Sequence, residues 1–134
     1  MILGVDPGER HVGLATADES IRIATPLEVV DARAVDPVER IVEVVGEVGA
    51  TAVVVGKPVG LSGRAGPAVD RQSAFLAKLR GRLEVPVQEF DERLTSVIAE
   101  RGLRASGARR AARRRMTDAV AAQVLLQDYL DASR

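Results

Sequence analysis

Apolar and polar positions fall along this chain in short blocks whose period changes from block to block. Met1-Ile2-Leu3-Gly4-Val5 is apolar and ends on Asp6, Pro7-Gly8-Glu9-Arg10 has the composition of a turn, and Val12-Gly13-Leu14-Ala15 is apolar again. Two short runs around a Pro-Gly turn predict a β-hairpin. Ile21 to Val30 predicts a third extended segment, with Pro26 placing it at a sheet edge or breaking its start. At Asp36-Pro37 the period lengthens: Asp is an N-cap, Pro suits the first helical position, and Val38, Ile41, Val42, Val45 and Val48 follow at helical spacing up to Gly49. Ala52-Val53-Val54-Val55-Gly56 is an unbroken β-branched run, which predicts a strand buried on both faces.

Lys57 to Pro67 is a Gly/Pro-rich loop carrying Lys57 and Arg64. A helix is predicted from about Ala68 to Leu83 with Val69, Phe75, Leu76 and Leu79 inward, then a strand over Pro86–Phe90 that ends on Asp91-Glu92-Arg93. Leu94-Thr95-Ser96 opens a helix to about Leu103, Ser106-Gly107 breaks it, and a last helix is predicted from about Arg114 to Ala132 with Met116, Val120, Val124, Leu125 and Tyr129 as its apolar positions. The order β-β-β-α-β-α-β-α-α predicts an α/β mixed sheet with helices on its faces. The first three strands form an antiparallel meander. The two later strands each follow a helix and return parallel to the first by right-handed crossovers.

This topology gives meaning to the acids. Ligands of such sheets bind at the carboxyl ends of the parallel strands. Asp6 ends the first strand and Asp91-Glu92 the last, so both groups are expected at one edge of the sheet. Asp118 lies in the first turns of an Ala-rich helix, where small neighbours allow close approach. Converging carboxylates repel unless a divalent cation joins them, and two-metal nucleases use such a set to activate water and stabilise the leaving oxygen. Structural roles remain open for each: Asp6 as a turn cap, Asp91 as a partner of Arg93, Asp118 as an acid favoured by the helix dipole.

Composition narrows the chemistry. With 134 residues the chain is one ordinary domain, able to bury roughly two-thirds of its unfolded surface. No cysteine and a single histidine leave oxygen ligands, hence Mg²⁺, Mn²⁺ or Ca²⁺. No basic leader precedes the first strand and no apolar stretch nears the ~18 residues of a membrane span, which predicts a soluble cytoplasmic protein without a membrane partner. The 19 basic and 19 acidic residues balance, yet Arg101, Arg104, Arg109, Arg110, Arg113, Arg114 and Arg115 form a block free of acids. Such a block is a footprint for a polyanion. The aromatics are only Phe75, Phe90 and Tyr129, so a nucleic acid would be held by phosphates and shape rather than by base stacking.

The blocks Val5-Asp6-Pro7-Gly8 with Val12-Gly13-Leu14-Ala15, Val54-Val55-Gly56-Lys57-Pro58, Asp91-Glu92-Arg93-Leu94-Thr95-Ser96, and Asp118 to Ala122 leading into Leu125–Leu130 occur in an order that resembles the YqgF/RuvX family over nearly the whole length. These are RNase H-like proteins described as pre-16S rRNA nucleases and as Holliday-junction resolvase-like. The resemblance implies a single RNase H-like domain over 1–134 with a five-stranded sheet. It also implies a metal-dependent phosphodiester hydrolase using Mg²⁺ or Mn²⁺, and a catalytic set of Asp6, Glu92 and Asp118, with Asp91 alongside as a metal-ligand candidate. Lys57, Arg64 and Arg93, with Arg109, Arg110, Arg113, Arg114 and Arg115, are the candidate nucleic-acid contacts. The chain departs from the family pattern at Lys57, where an apolar residue is frequent, at His11, where Arg is frequent, and in the nearly pure Arg/Ala stretch before the last helix. Three functions follow: a processing nuclease for the 5′ end of pre-16S rRNA in ribosome biogenesis, a resolvase of branched DNA acting as a homodimer, and a non-catalytic RNA-binding assembly factor. An actin-like nucleotide-binding domain, suggested by Asp-Pro-Gly, would need a second facing domain.

Overall fold

The computed structural model describes residues 1–57, 66–91 and 110–133. The hairpin forms as the pattern predicts: β1 (Ile2–Asp6) and β2 (His11–Ala17) pair antiparallel, with Asp6 opposite Gly13 and Ile2 opposite Ala17. β3 (Ala24–Asp31) continues the meander as an edge strand, and β4 (Ala52–Lys57) and β5 (Val87–Asp91) lie parallel to β1 on its other side. The sheet order is β3-β2-β1-β4-β5. Pro26 therefore sits on an edge strand, where its missing donor costs no central ladder bond.

Alternation along the strands divides the core in two. Leu3, Val5, Val12, Leu14, Val53, Val55 and Val87 face α1 (Pro37–Val48) and α2 (Pro67–Arg82). Ile2, Ala15, Ala17 and Val54 face the long helix α3 (Arg110–Ala132) with Ala122, Leu126 and Leu130. β4 contributes to both layers, as its β-branched run predicts. Both ends of α1 are closed by the expected chemistry: Asp36 accepts from the Val38 N–H at 2.9 Å, Pro37 is at the first position, and Gly49 at φ 67° sends its N–H back to the Val45 carbonyl. Arg40 of α1 reaches β3 and clasps both oxygens of Glu28 at 2.7 and 2.8 Å, which holds the Glu28 carboxyl below its ordinary value.

Three expectations change. The third strand starts at Ala24 rather than Ile21, because Asp18 accepts from the Ser20 N–H at 2.8 Å and Arg22 takes the left-handed conformation at φ 62°. Gln127 of α3 then secures the chain by accepting from the Ala24 N–H and donating to the Arg22 carbonyl, leaving Ile21 and Ile23 exposed. The last helix begins at Arg110 rather than Arg114, so Arg110, Arg113, Arg114 and Arg115 belong to α3. Its buried stripe is Ala122, Leu125, Leu126 and Leu130, whereas Val120, Val124 and Tyr129 are half-buried. The helix predicted from Leu94 to about Leu103 lies outside the described residues.

Candidate active site

Glycine in a strand marks close approach of something to the sheet, and here that is the backbone of α3. A Cβ on Gly13 would lie 1.8 Å from the Asp118 carbonyl oxygen and 3.1 Å from the Ala119 nitrogen. One on Gly4 would meet the Leu126 side chain at 2.9 Å. α3 therefore rests on a shelf of small residues, with its Asp118 turn directly over Gly13. Gly13 is the cross-strand neighbour of Asp6. Alternation puts Asp6 on the α3 side, because Leu3 and Val5 face the other layer and Gly4 meets Leu126. Asp6 and Asp118 thus belong to one face at the carboxyl end of β1.

His11 joins them. It is two residues before Gly13 on the same face, and its Nδ1 is 3.9 Å from Asp118 Oδ2, with both side chains partly exposed. A charged pair forms there when the imidazole is protonated. Nothing in the composition marks this contact beyond the presence of the only histidine in the chain.

The β5 end is built differently. Phe90 packs in the α3 layer, edge-on to Tyr129 with centroids 5.9 Å apart, while Glu89 meets Gln72 of α2. By alternation Asp91 follows Glu89 onto the α2 side, opposite the face of Asp6. In register Asp91 lies beside Lys57, the last residue of β4. Glu92, Arg93, Arg64 and Arg109 lie outside the described residues, as does the segment 58–65. Arg110, Arg113, Arg114 and Arg115 sit in the first turns of α3, the helix that carries Asp118.

The fold family implies a divalent cation, and the donors present test that implication. Asp6 and Asp118 carry hard carboxylate oxygens, with the His11 imidazole against Asp118, and such oxygens suit Mg²⁺ or Mn²⁺. Among the described residues no three His, Cys, Asp or Glu side chains group closely enough to hold a metal ion. Asp6 and Asp118 fit such an ion as two carboxylates on one face of the sheet end.

Comparison with known proteins places this arrangement. In its fold the chain is similar to two structures of RuvC from T. thermophilus. One is in complex with a Holliday junction substrate, with a TM-score of 0.62 at 20% identity over 98% of this chain and 94% of that one. The other has a TM-score of 0.55 at 20% identity over 98% and 95%. The chain therefore shares its fold with RuvC. The profile described as "RuvX: Holliday junction resolvase" matches residues 1–132. A relative in Chloroflexus aurantiacus is 44% identical over 135 residues, covering all of this chain and 88% of its own. Relatives in Desulforudis audaxviator (39%; 99% and 95% covered) and Geobacillus thermodenitrificans (38%; 98% and 98%) are similar along their whole lengths. All three carry the name "Putative pre-16S rRNA nuclease". The chain belongs to the RuvX family and is by class a nuclease. Among the described residues no helix is long and apolar enough to cross a membrane.

Proposed function

We propose that this chain, acting as one domain in the cytoplasm, is a metal-dependent nuclease that hydrolyses phosphodiesters of structured nucleic acid and processes the 5′ end of pre-16S rRNA. The observation that carries the proposal is the seating of α3 on Gly13, which brings Asp118 beside the strand position of Asp6. In this reading Asp6, Glu92 and Asp118 hold one or two Mg²⁺ or Mn²⁺ ions. When bound, the ions supply Lewis-acid stabilisation of the phosphoryl oxygens and an activated water. Asp91, on the α2 side of β5 and in register beside Lys57, is placed outside this shell. Lys57, Arg64, Arg93 and the arginines from Arg109 to Arg115 take the phosphate backbone on either side of the cut, with Arg110 to Arg115 rising along the helix that delivers Asp118. The choice of rRNA comes from the names of the full-length relatives.

A second reading, a DNA junction resolvase, is favoured by the family description and by the likeness of fold to RuvC. It requires two active sites and hence a dimer. One experiment separates the readings: cleavage of a labelled rRNA precursor end and of a four-way DNA junction, with Mn²⁺, Mg²⁺ or chelator, beside the Asp6→Asn variant. RNA cut only with metal and only by the wild type is the expected result. Symmetric junction cutting by a dimer would replace it with the resolvase reading. Binding without cutting in every metal would make the chain an assembly factor. Asp6→Asn protein that cuts at the wild-type rate would remove the site assignment.

A further inference from the structure

The turn that follows Asp6 carries an exposed acid, Glu9, and α2 reaches it with an exposed cation. Arg71 Nη2 donates to Glu9 Oε1 at 2.9 Å, with Arg71 60% and Glu9 82% exposed. An ion pair this open adds little to stability, so the fold alone gives no reason for the two to be held together. Their place in the molecule does. The next residue of α2, Gln72, is buried, and its amide donates to the Gly56 carbonyl at 3.0 Å and to the Glu89 carboxylate at 3.1 Å. Those two bonds tie this turn of α2 to Gly56, next to last in β4, and to Glu89 in the middle of β5. Arg71 is thereby set at the end of the sheet where β1 ends on Asp6, β4 on Lys57 and β5 on Asp91, on the α2 side and across that end from the face of Asp6.

A site made of carboxylates repels the phosphodiester it has to receive, and cations at its rim offset that repulsion. We infer that Arg71 is a contact for the phosphate backbone of the bound nucleic acid, and that Glu9 holds its guanidinium in the free protein and releases it when a phosphate arrives. This rests on the nucleic-acid reading of the site given above. The exchange suits the chemistry. A guanidinium presents the same forked N–H donors to a phosphate as to a carboxylate. The incoming phosphate also sheds condensed counterions, which Glu9 does not. Glu9 and Arg71 then have opposite effects on affinity, although they form one pair. That asymmetry is what a purely structural ion pair lacks.

The test is binding of a fluorescein-labelled RNA stem-loop, followed by anisotropy in EDTA so that nothing is cut, from about 50 to about 200 mM salt. Wild type, Arg71→Gln, Arg71→Lys and Glu9→Gln are compared, with melting temperatures recorded for all four. Arg71→Gln should bind more weakly with a salt slope shallower by about one unit. Its deficit should shrink roughly threefold across that salt range. Arg71→Lys should keep the wild-type slope, and Glu9→Gln should bind more tightly than wild type. An Arg71→Gln protein with wild-type affinity and slope would overturn the inference alone. So would equal weakening by Arg71→Gln and Glu9→Gln, because the pair would then be structural. A wild type that fails to bind the stem-loop at any salt would overturn the nucleic-acid reading and this inference with it.

Discussion

Gly13→Ala adds one methyl group at the contact that assembles the candidate site. Its Cβ would sit 1.8 Å from the Asp118 carbonyl oxygen and 2.4 Å from the carbonyl carbon. Non-bonded heavy atoms are comfortable near 3.5 Å, so helix and strand must part by roughly 1.5 Å. The obstructing atoms are helix backbone, not the tip of a flexible side chain, so no rotamer change relieves the clash. Overpacking of this kind costs about 1–3 kcal/mol. For a domain of this size that is a fall in Tm of roughly 4–12 °C. The same displacement carries Asp118 away from Asp6, and a shift of about 1 Å at a reacting centre can lower the rate about 100-fold. The assay is thermal unfolding by circular dichroism together with metal-dependent cleavage well below both melting temperatures. Gly46→Ala is the control: a Cβ there meets nothing within 4 Å, and replacing a helix-interior glycine should stabilise by up to about 1 kcal/mol. A Gly13→Ala protein with wild-type Tm and cleavage rate would refute the close seating of α3.

Leu126→Ala, at a fully buried position against Gly4, should lower stability by about 2–5 kcal/mol in urea unfolding, and a loss below about 1 kcal/mol would mean that the second core layer is not closed there. Glu28→Gln removes the carboxylate clasped by Arg40. Because the folded carboxyl is held below its ordinary 4.5, its stabilisation is present above that pH and is lost as pH falls through the folded value. The Tm gap between wild type and variant should therefore be small but open at neutral pH and close in acid, and a gap independent of pH would contradict the assignment. Replacing Arg110, Arg113, Arg114 and Arg115 with Gln should weaken nucleic-acid binding and flatten its salt dependence by about one unit per lost phosphate contact. An unchanged slope would take the start of α3 out of the binding surface.

The hairpin, the capped helix α1 and the doubly buried strand β4 could be read from the chain because local signals agree there: Asp36-Pro37 and Gly49 bracket α1, and Val53–Val55 alternate between the two layers. Ile21–Ile23 misled for the opposite reason. Its apolar alternation suggests a strand, but the Asp18–Ser20 turn and the distant Gln127 take those backbone groups instead. The inward stripe of α3 is legible in the sequence only at Leu125, because the stripe is chosen by the sheet. Gly4, Gly13 and Ala15 leave room for backbone and for Leu126, while bulkier Val120 and Val124 stay at the margin. Asp6 and Asp118 stood out as acids beside small residues, and their common face follows from register. The separate sides of Asp6 and Asp91 could not be read from strand ends alone, because they depend on where the alternation of β5 starts relative to Val87 and Phe90.

α3 is the last described element to leave the ribosome, and it closes the second core layer and delivers Asp118 in the same movement. Before it docks, the hairpin can already pair and Asp6 already has its position, but that side of the sheet is bare and the acid pair has no second member. Completion of the core and arming of the site are thus a single event in the life of the chain. In the proposed reading a nascent or C-terminally truncated molecule would not cut nucleic acid, and hydrogen exchange in α3 should report the same opening that takes Asp118 from the candidate site.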